Sequence, residues 1–329
     1  MVMKTVYVLG AGFSAVANLP MMNNFLDKAK DIAEETSDKR LEELLRKIDR
    51  LSNIKNYCKI DLFNIEDAFS ILMTEDWLKK THHAEDMRYL IKLVIDKHTP
   101  KINDAINEFF LEELDIENLI KKNNPYQKLF CFLSRIMCLK YKKDLNNKNR
   151  IIVERFENNE NNNIITLNYD ILLENCLDII NKYVAENNKI KFSEEFSELY
   201  KLHGSIENNN IIPPTWAKYN INPKLKEIWI KAFNKISAAN EIVFIGYSFP
   251  NTDSYFSHFI KLAIHHSKNL KKITVINPDD NTRTRCKEIL GLERLNFIPK
   301  KWDSFDFCAA FQKHNGDEWY FSSETLISG

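Results

Sequence analysis

Apolar residues recur through much of the first half of the chain at the three- and four-residue spacing of an amphipathic helix. Phe25-Leu26, Ala29 and Ile32-Ala33 form one such set, and Leu41, Leu44-Leu45 and Ile48 form a second. Asn64-Ile65-Glu66-Asp67 opens a further helix, because the Asn can cap it and the two acids suit the positive end of its dipole. Met87, Leu90-Ile91 and Val94-Ile95 continue the rhythm and Pro100 interrupts it. Ile102, Ala105-Ile106 and Phe109-Phe110 then resume it, and a last helix runs from about Pro125 to Lys140.

Two regions break this pattern. Val6-Tyr7-Val8-Leu9 is a short continuous apolar run that enters Gly10-Ala11-Gly12-Phe13-Ser14, as a buried parallel strand enters a glycine turn. After Asn163, short apolar runs alternate with helices: Ile164 to Leu167, a helix from Ile171, Tyr200 to Leu202, Glu241 to Gly246, a helix, and Ile273 to Ile276. Such alternation predicts an α/β fold with a doubly wound, Rossmann-like parallel sheet. Residues 1–30 and 160–329 are expected to form that domain, with residues 31–159 as a helical insertion. The runs Asn158 to Asn163 and Asn208 to Asn210 read as solvated turns.

The chain has 329 residues, 44% of them hydrophobic, and its 46 basic side chains balance 46 acidic ones. That balance speaks against a basic nucleic-acid surface, and no apolar run is long enough to span a membrane. The expectation is a cytoplasmic protein with no membrane and no direct nucleic-acid contact. Met1 to Ala17 also has the order of a secretory leader, with Lys4, an apolar stretch and Ala15-Val16-Ala17. Two glycines interrupt that core, and the cysteines (58, 131, 138, 176, 286 and 308) lack the spacing of a secreted disulfide framework, so the segment reads as a mature first strand. Cys131 and Cys138 share one face of a predicted helix and read as buried thiols; no Cys-x-x-Cys pair points to zinc, and no metal is expected.

In an open parallel sheet, ligands sit beyond the carboxyl ends of the strands. The residues after each apolar run should therefore gather. They are Gly10 to Ser14, Thr166-Leu167-Asn168-Tyr169-Asp170, Leu202-His203-Gly204-Ser205, Gly246-Tyr247-Ser248-Phe249-Pro250 with Asp253, and Asn277-Pro278-Asp279. Gly10 permits a tight reversal and Gly12 a close approach of backbone to a pyrophosphate, which points to a nucleotide. A dehydrogenase would place an acid at the end of a second strand about 20 residues past the glycines. The chain is helical there, around Asp27 to Glu35, which disfavours hydride transfer. The other use of a bound dinucleotide is cleavage at the nicotinamide ribose, through an oxocarbenium-like transition state. That chemistry calls for an amide, a carboxylate and a base, and Asn168, Asp170 and His203 are those types.

The ordered set of these clusters, with Leu19-Pro20 and Ile276 to Asp279, resembles the sirtuin-like (Sir2-like) family of bacterial NAD-consuming proteins. The likeness covers most of the chain, and Asn64 to Asp67 is similar to a segment typical of that branch. The resemblance implies NAD+ as substrate. It implies that Gly10, Ala11, Gly12 and Ser14 line the phosphate and ribose region, that Asn168 and Asp170 hold the nicotinamide ribose, and that His203 is the catalytic base. Gly246, Ser248 and Asn277 would lie by the adenosine half, with Asp253 bracing the loop. Protein-deacylating sirtuins carry an Asp-Phe-Arg element after the first proline and a four-cysteine zinc module. Here Met21-Met22-Asn23 follows Pro20. The resemblance therefore implies an NAD+ hydrolase (NADase) that releases nicotinamide and ADP-ribose in anti-phage defence, as a homo-oligomer or beside a sensor or ATPase partner. A non-catalytic sensor of NAD or an ADP-ribose derivative, and an ADP-ribosyltransferase or deacylase, remain alternatives.

Each residue also has a plainer role open to it. His203 can be a strand-end histidine satisfied by backbone, Asn168 a strand-to-helix cap, and Asp170 a partner of the following helix dipole. The adjacent pairs His82-His83 and His265-His266 diverge on a regular element and make poor metal sites. Trp216 and Tyr219 can shape a pocket, whereas Trp229 and Trp319-Tyr320-Phe321 read as packing or an interface. The insertion reads either as a lid or oligomer surface, or as completion of the core.

Overall fold

The computed structural model describes residues 2–51, 65–79, 81–101, 125–143, 151–156, 160–184, 188–207, 210–212, 223–251, 253–291, 295–304, 311–314 and 318–321. The chain begins with β1 (Met3–Leu9), the short helix α1 (Ala11–Ser14) and α2 (Phe25–Thr36). It continues through α3 (Lys39–Leu51), α4 (Ile65–Lys79), α5 (His83–His98), α6 (Pro125–Ile136), β2 (Leu139–Lys143) and β3 (Ile151–Arg155). Then come β4 (Glu160–Thr166), α7 (Leu172–Asn181), β5 (Leu199–Lys201), α8 (Pro223–Ser237), β6 (Glu241–Ile245) and α9 (Ser254–His266). The last elements are β7 (Lys272–Ile276), α10 (Asn281–Leu290), β8 (Asn296–Ile298), β9 (Phe311–His314) and β10 (Glu318–Phe321). The predicted helix at Ile102 to Phe110, the cap Asn64, Cys58, Cys308, Trp216 and Tyr219 lie outside the described residues.

Six strands form a parallel sheet in the order β5-β4-β1-β6-β7-β8. Counted within this sheet alone, the order is 3-2-1-4-5-6, the arrangement of dinucleotide-binding α/β domains. The chain is thus Rossmann-like, and its topological switch falls between β1 and β6. Val6 to Leu9 in β1 and Ile242 to Ile245 in β6 read as unbroken apolar runs because both faces are covered, and alternate residues enter different cores. Tyr7, Leu9, Ile164, Val243, Ile245 and Ile276 pack on the side of α2 to α7. Val6, Val8, Ile165, Ile242, Phe244 and Val275 pack on the side of α8, α9 and α10. Helix α3 shows the matching pattern, burying Leu41, Leu44, Leu45, Ile48 and Leu51 beneath a charged outer face.

Several expectations are corrected. The helix from Pro125 stops at Ile136 instead of Lys140; Cys138 adopts φ of 54° and turns the chain into β2. Strand β2 pairs with β3 and with β10 in a second, antiparallel sheet of order β3-β2-β10-β9. The expected helical insertion therefore contains strands, completed by a C-terminal segment that includes Trp319 and Tyr320. The run from Asn161 to Asn163 is not a solvated turn but the first half of β4, in register with Lys4 to Val6. Asn162 is buried because its amide donates to the α6 C-terminal carbonyl of Ile136 at 3.1 Å, which satisfies both groups. Cys138, Cys176 and Cys286 are buried free thiols, whereas Cys131, expected to be one, is disulfide-bonded. No helix among the described residues is long and apolar enough to cross a membrane.

Candidate active site

The turns after β1 and β6 interlock at the switch point. Gly10 N–H donates to the Ile245 carbonyl at 3.0 Å and Gly12 N–H to the Gly246 carbonyl at 2.9 Å. A Cβ on Gly10 would stand 2.6 Å from Tyr247 Cα, and one on Gly246, where φ is +64°, would stand 2.3 Å from the Phe13 nitrogen. These glycines let two backbones touch. Gly12 was expected to offer its backbone to a phosphate, but its N–H is already given to Gly246. Nor does a long helix follow: α1 has 4 residues and passes into a 3-10 turn that ends at Asn18 with φ of 58°.

Around this joint sits a polar relay. Ser14 Oγ donates to Asp170 Oδ2 at 2.6 Å and accepts from Asn168 Nδ2 at 2.9 Å, and the same amide nitrogen donates to the Gly10 carbonyl at 2.9 Å. Both amide protons are engaged, so the side chain is held in one orientation with Oδ1 as its available acceptor. Asp170 is buried, and its Oδ1 accepts from Leu172 N–H at 3.2 Å, in the first turn of α7. The helix-terminal role thus coexists with the relay. Lys201 Nζ holds the Asp170 carbonyl and pairs with Glu174 at 2.7 Å.

His203 lies at the end of β5 between the rings of Tyr169 and Trp229, with centroids 6.1 and 6.4 Å away. Trp229 Nε1 donates to the Leu202 carbonyl at 2.8 Å, and Gly204 turns the chain with φ of +82°. His203 Nδ1 is 3.0 Å from the Leu167 carbonyl. A carbonyl only accepts, so Nδ1 carries the proton and the neutral ring has its lone pair on Nε2.

Two joined concavities open at this edge of the sheet. The inner cavity, about 130 Å³, is lined by Gly10, Ala11, Ser14, Asn168, Tyr169, Asp170, His203, Gly246, Tyr247, Ser248 and Asp253. It is roughly ten times the minimum that holds one water molecule. Its other wall is apolar: Leu19, Pro20, Met22, Phe25, Ile65, Ile91 and Ile95, interrupted by the carboxylate of Glu66. The outer groove, about 700 Å³, shares Ala11, Met22, Gly246, Ser248 and Pro250 with the cavity and adds Gly12, Asn277, the cations Arg285 and Lys301, and the carboxylates Asp279 and Asp303. Among the described residues, the cavity lining carries three carboxylates, Glu66, Asp170 and Asp253, with no lysine or arginine. The cations stand in the groove, where Arg285 also donates to Asp279 at 2.7 Å and to the Ser248 carbonyl at 2.9 Å.

Gly10, Ala11, Ser14, Asn168, Asp170, His203, Gly246, Ser248 and Asp253 border the cavity, and Gly12 and Asn277 border the groove, whereas Thr166, Leu202, Gly204 and Ser205 of the same strand-end clusters line neither. Asp253 accepts from Tyr247 Oη at 3.1 Å and braces the loop after β6, and Asn277 ties that loop to β7 by donating to the Tyr247 carbonyl at 3.2 Å. Burial pushes the Tyr169 phenol well above its usual pKa, and the charges of Glu66 and Asp253 push it further. Burial does the same for Tyr247, reinforced by Asp253 and Glu66. Both phenols stay protonated. Sequence reasoning placed Tyr169 and Tyr247 in the strand-end clusters without assigning them a role, and it named Leu19-Pro20 and the segment Asn64 to Asp67 through the resemblance; it did not place Glu66, Phe25, Ile91 and Ile95 at the cavity. No group of histidine, cysteine and acidic residues suited to a metal ion occurs among the described residues.

A doubly wound sheet with a polar cavity at its switch point is the arrangement of Rossmann-like α/β domains. A family model, the SIR2-like domain, matches residues 162–296, from β4 to the first residue of β8. Such domains use NAD+, so the match points to NAD-related activity. It begins after β1, yet β1 lies between β4 and β6, so the glycine turn belongs to the same sheet. A search of curated proteins found no match.

Proposed function

We propose that this protein is an NAD+ glycohydrolase. In the reaction, water attacks C1′ of the nicotinamide ribose as the C1′–N bond breaks. The bonding pair leaves on nicotinamide, and the products are nicotinamide, ADP-ribose and a proton. The observation that carries the reading is where the cations stand. The inner cavity, lined by carboxylates with no lysine or arginine among the described residues, suits a cationic nicotinamide riboside, and the groove, where Arg285 and Lys301 stand beside Asp279 and Asp303, offers the nearby cations for a diphosphate.

Within that frame Asn168 Oδ1 accepts a hydrogen bond from the ribose, and Ser14 and Gly10 keep the amide from turning. His203 Nε2 takes the proton of the attacking water, its basic tautomer set by the Leu167 carbonyl. Asp170 fixes Ser14 and favours positive charge developing on the sugar. The protein supplies Gly10, Ala11 and Ser14 at the ribose, and Gly246, Ser248 and Asn277 at the groove. The resemblance to bacterial NAD-consuming proteins supports a role as an anti-phage effector that depletes NAD+, as a homo-oligomer or with a sensor or ATPase.

The test is incubation of purified wild type, Asn168→Ala and His203→Ala with NAD+, with chromatography for nicotinamide and ADP-ribose. Wild type should release both in equal amounts, and each variant should lose about 10²–10⁴-fold in rate while keeping NAD+ binding. Tight binding without products in the wild type would replace the hydrolase with a sensor, and ADP-ribose retained on protein would replace it with a transferase.

A further inference from the structure

The turn from β4 to α7 carries both Asn168 and Asp170, and its backbone is anchored residue by residue. Leu167 N–H donates to the Leu9 carbonyl at 3.0 Å, Asn168 N–H donates to Thr166 Oγ1 at 3.1 Å, and the Tyr169 carbonyl accepts from Ile206 N–H at 3.0 Å. The Asp170 carbonyl comes next. It lies one residue ahead of the first α7 rung, in which Asn175 N–H donates to the Ile171 carbonyl at 2.8 Å. A side chain reaches it instead: Lys201 Nζ donates to the Asp170 carbonyl. Lys201 ends β5 directly opposite Thr166, so its ammonium spans from one strand end to the turn after the next strand.

The same ammonium pairs with Glu174, in the first turn of α7, at 2.7 Å, and the Lys201 side chain is only 12% exposed. Taking an ammonium out of water is unfavourable, and Glu174 offsets that. Burial raises the Glu174 carboxyl, Lys201 opposes the rise and the charge of Asp170 adds to it, so the three groups share one weakly screened environment. Lys201 and Glu174 line neither the cavity nor the groove, and neither meets substrate. We infer that Lys201 is a positioning residue: by holding the Asp170 carbonyl it fixes the turn that aims Asn168 and Asp170 at the ribose, and Glu174 is its counter-ion. The inference rests on the NAD+ glycohydrolase reading above. Asn168 and Asp170 meet at Ser14 Oγ, so a shift of the turn displaces both at once. Displacement of about 1 Å at a reacting centre is enough to slow it by about 10²-fold.

The experiment compares the full chain as wild type, as Lys201→Met and as the double variant Lys201→Met with Glu174→Met, by steady-state nicotinamide release and by urea denaturation. Lys201→Met should lower kcat by about ten- to a hundredfold and leave KM for NAD+ within about threefold, because the turn acts on the reacting sugar while the groove still holds the rest of the dinucleotide. Its denaturation midpoint should also fall, since Glu174 becomes a buried charge without its partner. Removing both charges should return the midpoint towards wild type and leave kcat low, because the Asp170 carbonyl still lacks its donor. A lysine that serves only the fold would instead recover turnover together with stability. That recovery would overturn the inference, as would an unchanged kcat in Lys201→Met or a rise in KM alone. If Lys201→Met does not fold, the double variant decides by the same kcat criterion, and a double variant that does not fold either assigns Lys201 to the fold alone. These results leave the hydrolase reading intact, whereas a wild type that releases no nicotinamide removes that reading and this inference together.

Discussion

Ser14 touches both Asn168 and Asp170 through one oxygen. Ser14→Ala removes the donor to Asp170 and the acceptor that fixes the Asn168 amide. The expected result is a fall in kcat of about ten- to a hundredfold, with a stability loss of only ~1–2 kcal/mol. Steady-state kinetics beside urea denaturation separates the two effects, and an unchanged kcat would mean that amide orientation is irrelevant to turnover. Gly246 is a different case. With φ at +64° and its absent Cβ only 2.3 Å from the Phe13 nitrogen, Gly246→Ala should cost more than about 3 kcal/mol. A loss under about 1 kcal/mol in the same denaturation assay would show that the two turns part freely.

Helix α6 and strand β4 are joined by Arg135, which donates to Glu160 through two nitrogens at 2.8 and 3.0 Å. Burial alone raises the Glu160 carboxyl, and the hydrogen bonds and charge of Arg135 more than offset it, holding the group below its usual pKa. A carboxyl whose folded pKa lies below its unfolded value, about 4.3, contributes stability above that pH. The contribution is lost as pH falls through the lowered folded value. Arg135→Met should therefore cost about 1–3 kcal/mol at pH 7, less than a sealed pair because the Glu160 side chain is 30% exposed. The gap to wild type should narrow under acid, and a gap independent of pH in urea titrations would sink the charge-based account.

Across the whole molecule, helices α4 and α5 and the chain's return after β8 support the site from opposite directions. Helices α4 and α5 supply Ile65, Ile91 and Ile95 to the cavity's apolar wall and are also continuous with the core beneath the sheet. Trp302, far along the chain, stacks on Phe13 with centroids 4.5 Å apart and donates to the Phe13 carbonyl at 2.8 Å. Trp302→Ala should cost about 3–5 kcal/mol and loosen the glycine turn, so KM for NAD+ should rise as stability falls. Thermal unfolding and kinetics on the same preparation test the link. A destabilised variant with unchanged KM would show that the turn holds its shape without the indole.

Local spacing along the chain specifies most of the elements and the sheet edge at which the site forms. Continuous apolar runs and period-3.6 patterns reflect which faces are buried, so β1, β6, β7, α2, α3 and α5 were legible from their own residues. So was the clustering of Gly10, Asn168, His203 and Gly246, because strand ends in a parallel sheet share one edge. Features that depend on a distant partner emerge only from the fold. Asn161 to Asn163 became strand because β1 lies alongside and the α6 carbonyl accepts the Asn162 amide; β2 left the helix because β10 pairs with it. The glycines proved to serve contact between two turns, and Glu66 reached the cavity through the docking of α4. Burial of a polar group is favourable only where its partner arrives, and that partner is not encoded within the reach of local spacing.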